Sequence, residues 1–78
     1  MNYAPYTDDE FTAEELAADD ILKYFVFAHL RSGDLAAMSS HFAELAKIVV
    51  RNAPRCPERT MALRKILEGK DAAVRTML

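Results

Sequence analysis

From Pro57 to Leu78 the chain reads as one amphipathic helix, and no other stretch restricts the fold as much. Pro57 stands where a helix best tolerates proline, at its first position, and the residues after it are mostly strong helix formers. At about 100° per residue, Ala62, Leu63, Ile66, Leu67, Ala73, Val74 and Met77 share one apolar face. Arg59 and Lys70 project from that same face. Cations on a stripe built for burial must snorkel to water, pair with a carboxylate, or meet an anion brought from outside.

Upstream, Leu35, Met38, Phe42, Leu45 and Val49 alternate spacings of three and four, an a/d seam that predicts a helix over about 33–52. Ser40, Glu44, Lys47 and Arg51 form the opposite polar stripe, and Ala37, His41 and Ile48 lie on a flank that offers a second, smaller contact surface. Ser32-Gly33-Asp34 marks the break before this helix, and Pro54 ends it by forcing Ala53 out of the helical region. The short connection to Pro57 then folds the helices over about 33–52 and 57–77 into an antiparallel hairpin. Thr12-Ala13-Glu14-Glu15 has capping-box spacing and predicts a helix over about 12–27. Residues 1–11, with Pro5 and Asp8-Asp9-Glu10, read as an irregular arm. Ile21 to Leu30 is apolar on every side of a helical wheel, as a buried segment is; period does not separate helix from strand over Tyr24 to Phe27, and helix is favoured. The expected fold is all-α: a short N-terminal helix followed by an antiparallel helical hairpin, in a single domain spanning 1–78.

A chain of this size buries only ~60% of the surface its unfolded form exposes. Yet 51% of its residues are hydrophobic, including four Met, four Phe and three Tyr, which is more than so small a helical monomer can easily hide. A homo-oligomer is expected. The single Cys56 excludes an internal disulfide and points to a reducing compartment, so the expected location is cytoplasmic. The N-terminus has no basic region and no apolar run reaches membrane-spanning length, so neither secretion nor a membrane partner is expected. Net charge is −2, but residues 1–34 carry eight acids and two bases, whereas residues 35–78 carry four acids and eight bases. That asymmetry fits an acidic segment packed on a basic one, or a basic half facing an anionic ligand.

Little here supports catalysis. Cys56 lies among Arg51, Arg55 and Arg59, which favour a thiolate, but nothing brings His29 or His41 to it. Two histidines with no ligand-spaced acids fill no metal shell, and Gly33 and Gly69 make no phosphate loop, so neither an enzyme nor a cofactor is expected. Gly69, in mid-helix, reads as the mark of a close helix crossing or of room for a ligand, the crossing being favoured. The basic residues are more informative: Arg55, Arg59, Arg64, Lys65, Lys70 and Arg75 lie in or just before the last helix. Arg59 and Thr60 fall in its first turn, where free amides and the helix dipole favour anions. Phosphates need guanidinium forks and bases need aromatic planes, which Phe25, Phe27 and His29 can supply. Duplex nucleic acid is not an expected partner, because a pI near 5.6 and the acidic arm oppose it.

The run Cys56-Pro57-Glu58-Arg59-Thr60-Met61-Ala62-Leu63-Arg64-Lys65-Ile66-Leu67-Glu68, with Tyr24-Phe25-Val26-Phe27-Ala28-His29-Leu30 and Phe42-Ala43-Glu44-Leu45-Ala46 before it, resembles a phage-encoded hairpin-domain family. These anti-defence sponges counter the cyclic-oligonucleotide (CBASS) and Thoeris systems of bacteria, and the likeness covers roughly residues 21–76. The resemblance implies a helical hairpin that assembles, often as a hexamer, and sequesters a cyclic di- or trinucleotide or a cyclic ADP-ribose isomer without cleaving it. By position it places stacking on Phe25, Phe27 and His29, and phosphate or ribose contacts on Arg59, Thr60 and Arg64. The alternative is a helical-hairpin oligomer that inhibits or scaffolds a host protein through its basic face.

Overall fold

A computed structural model describes residues 11–26 and 33–78 of the chain. Among these residues the fold is all-helical: α1 (Ala13–Ala18), a 3-10 helix (Asp20–Phe25), α2 (Gly33–Asn52) and α3 (Pro57–Arg75). The last two form a helical hairpin, and α1 with the 3-10 helix makes a strap across it.

The capping box at Thr12 forms as its spacing predicts. Thr12 Oγ1 accepts the Glu15 N–H at 3.1 Å, and Glu15 Oε1 accepts the Thr12 N–H at 2.9 Å. The helix it starts is much shorter than the expected 12–27. It ends at Ala18, Asp19 is extended (φ −132°, ψ 95°), and the chain resumes as a 3-10 helix. The physical reason lies partly in the tighter winding, which stacks residues three apart on one edge. Leu22 and Phe25 therefore both point into the core, each 0% exposed, while Lys23 and Tyr24 face outward. A segment that is apolar all round on an α-helical wheel thus becomes two-sided.

The core consists of Phe11, Leu22, Phe25, Ala43, Ala46 and Leu63, flanked by half-buried Leu16, Ile21, Phe42, Val49, Val50, Ile66 and Leu67. The Phe11 and Phe25 rings meet tilted, with centroids 6.5 Å apart. Full burial of each large side chain contributes about 1.5–3 kcal/mol, so Leu22, Phe25 and Leu63 form the apolar heart of the molecule.

On α2 the inward face is displaced from the a/d seam, whose Phe42 and Val49 flank the core half-buried. Ser39, Ser40, Ala43, Ala46 and Lys47 are buried, while Leu45 of the seam is exposed. Small residues let the strap and α3 approach the α2 backbone closely, and the strap covers much of the stripe expected to be solvated. Ser40 Oγ turns back to Ala37 O at 2.7 Å. Lys47, only 4% exposed, places its ammonium 6.0 Å from the Phe11 ring centroid. The polar stripe of the sequence is therefore partly an interior face.

Candidate ligand-binding site

The expected site residues do not converge on one pocket. Phe25 is sealed in the core and its ring faces Phe11. Phe27 and His29 lie outside the described residues. Thr60 and Arg64 are exposed on α3, four residues apart and so on one face. Arg59 diverges from both and is 6% exposed. The first-turn amides expected to meet an anion are occupied, since the N–H groups of Arg59 and Thr60 both donate to Cys56 O, at 3.1 and 3.2 Å. Pro57 has no N–H to offer.

Arg59 instead grips the strap. Its Nη1 donates to Asp19 Oδ1 at 3.0 Å and its Nη2 to Asp19 Oδ2 at 3.1 Å, a two-pronged pair across 40 residues of sequence. Arg55 adds longer contacts to Asp19 Oδ2 (3.3 Å) and Ala18 O (3.1 Å). One turn earlier in the strap, Arg51 grips Glu15 through Nε to Oε2 at 2.8 Å and Nη2 to Oε1 at 3.0 Å. The Arg51 guanidinium holds the Glu15 carboxyl down at about 2, against a burial penalty that pushes the other way. Arg59 likewise lowers the Asp19 pKa, and Asp19 raises that of Arg59. These pairs line a shallow hollow of about 550 Å³ between α1 and the hairpin turn, shared by Glu14, Glu15 and Asp19 with Arg51, Arg55 and Arg59. With three acids against three bases it has no net sign to attract an ion.

A second cleft has the opposite character. About 270 Å³ in volume, it lies between the end of the strap, the start of α2 and the end of α3, lined by Lys23, Tyr24, Val26, Leu35, Ser39, Lys70 and Val74. Tyr24 is 54% exposed and Lys23 Nζ sits 5.2 Å from its ring centroid. Lys23 also pairs with Asp20 at 3.2 Å, and that contact raises its pKa. The Lys70 ammonium donates to the Tyr24 carbonyl and stands 3.7 Å from Asp71 Oδ1. Ser39 Oγ is buried and has no hydrogen-bond partner among the described residues. An orphaned hydroxyl in such a position costs about 1–3 kcal/mol, which a polar ligand atom would recover. Two ammonium groups, each with an aspartate beside it on the outer side, line the cleft with an open phenol ring over an apolar floor. That arrangement suits a ligand with a planar ring and phosphate oxygens able to share those ammonium donors.

Sequence reading missed this cleft because three elements build it. Its traces were present: Lys70 stood out as a cation on an apolar stripe, and Lys23-Tyr24 interrupts an apolar run. Among the described residues no group of His, Cys, Asp or Glu is placed to hold a metal ion, and no helix is long and apolar enough to cross a membrane. Comparison with protein-family models, curated proteins and solved structures gave no match to this chain.

Proposed function

We propose that this chain is a sponge that binds and sequesters a cyclic oligonucleotide or related nucleotide immune signal without cleaving it. The observation that carries the reading is the cleft of Lys23, Tyr24, Ser39 and Lys70. Its lysines would neutralise phosphate, the Tyr24 ring would stack on a base, and the Ser39 hydroxyl would take a ribose or base hydrogen bond. The sequence resemblance to phage anti-defence sponges supplies the ligand class, with the host cytoplasm as the place of action. Because Asp19 engages Arg59 and the core holds Phe25, this reading gives the phosphate role to Lys23 and Lys70 and the stacking role to Tyr24.

At about 270 Å³ the cleft is smaller than the ~300–1,000 Å³ of typical small-molecule sites. One chain then holds part of a cyclic dinucleotide or trinucleotide, and a neighbouring copy in a homo-oligomer, a hexamer by the resemblance, covers the rest. Thr60 and Arg64, exposed on α3, are the groups that copy would bring.

Calorimetric titration with cyclic di- and trinucleotides and cyclic ADP-ribose isomers tests this, with recovery of unchanged ligand after heating. Tight binding is expected, weakened about tenfold or more in Tyr24→Ala and Lys70→Ala. A folded chain that binds none of the panel would favour the alternative, a helical-hairpin oligomer that inhibits or scaffolds a host protein through its basic face.

A further inference from the structure

We infer that Asp19 and Arg59 are positioning residues for the cleft, a latch that sets where Lys23 and Tyr24 stand without touching the ligand. This rests on reading the cleft as a ligand site. Asp19 is the joint of the strap: its N–H donates to Glu15 O and its carbonyl accepts from Leu22 N, each at 3.0 Å, so its backbone closes α1 and opens the 3-10 helix. An aspartate there would ordinarily cap the following turn with its side chain, yet no such bond forms. Both carboxylate oxygens go to the Arg59 fork instead.

Arg59 is equally committed. Its side chain is 5% exposed, both terminal nitrogens point at Asp19, and Nε is buried with no partner among the described residues. At the other end of the 3-10 helix, Lys70 holds the Tyr24 carbonyl. Arg59 and Lys70 are eleven residues apart, about 20° around the helix and ~16 Å along it, so both anchors lie on one line of α3. The six-residue 3-10 helix, ~12 Å long, is pinned along that line at both ends. Packing of Leu22 and Phe25 fixes its depth, but apolar contact is non-directional. The two-pronged bond is directional and fixes its register, and with it the edge on which Lys23 and Tyr24 emerge.

Amide hydrogen exchange followed by NMR on the full chain, paired with titration of cyclic di-AMP, tests the latch. The Asp19→Leu/Arg59→Met double variant removes both charges together, leaving neither buried and unpaired. Residues 20–26 should then exchange about tenfold faster or more while the α2 amides and the α3 amides beyond the first two turns keep their shifts and protection, and cyclic di-AMP affinity should fall about tenfold. Arg59→Lys keeps the charge but not the fork; it should loosen the same residues to a lesser degree, and provides the reading should the double variant not fold. Unchanged exchange over 20–26 would overturn the inference, as would loosening spread evenly over the hairpin. A parent chain that ignores cyclic di-AMP and every other cyclic di- or trinucleotide and cyclic ADP-ribose isomer of the panel, while the double variant still loosens 20–26, would sink the ligand reading and uphold the latch.

Discussion

A methyl group added at Gly69 would meet one neighbour, Phe42 Cε1, at an ordinary 3.5 Å, and the glycine has no positive φ to preserve. The close crossing that a mid-helix glycine implies is thus not sterically required here. Gly69→Ala should add about 0.5–1 kcal/mol, raising the melting temperature by roughly 2–8 °C in a circular-dichroism melt. Glu15 makes the complementary case, because its carboxyl lies at about 2 when folded against 4.5 ordinarily. A carboxylate depressed in this way contributes fully above its unfolded value, and the contribution is lost as pH falls through the folded one. Stability should therefore decline between about pH 4.5 and 2, with Asp19, also lowered, acting in the same direction. Urea titrations across that range should show a shallower decline in Glu15→Gln. An equal slope would place the acid sensitivity elsewhere.

At the scale of elements, α2 and α3 were legible because their signals are local: a Gly33 break, a Pro54 stop, a Pro57 start and sustained helical periodicity. The strap was legible at its first residue, where the capping box is complete within four positions, and became illegible at Asp19. Nothing near Asp19 in sequence predicts a break, since the partner that claims its carboxylate is 40 residues away. The same distance hid the fate of Arg59. Its presence on an apolar stripe posed a choice between water, carboxylate and outside anion, and the fold answers with a carboxylate. On α2 the seam of large residues was the stronger pattern to the eye, but Ser39, Ala43 and Ala46 are the side chains small enough to let other elements in. Leu45 is left facing out.

For the whole molecule, the division into an acidic first half and a basic second half proves to be partly internal: Glu15 and Asp19 dock on Arg51, Arg55 and Arg59. Some large apolar side chains also remain outside, with Leu45 at 45% and Met61 at 52% exposure on the hairpin. If this surface joins copies in the proposed oligomer, Leu45→Glu should shift sedimentation to a monomer while helical content persists; a parent chain that sediments as a monomer would refute that assembly. The strap also imposes an order on events. Its polar ties reach across 36 to 46 residues, whereas α2 and α3 are joined by a turn of a few. Closing the longer loop carries the larger entropic cost, so the hairpin zips first and the strap settles on it afterwards. Opening then runs in reverse: the strap is the first part to lift away, and changes made in it speed escape from the native state more than they slow arrival.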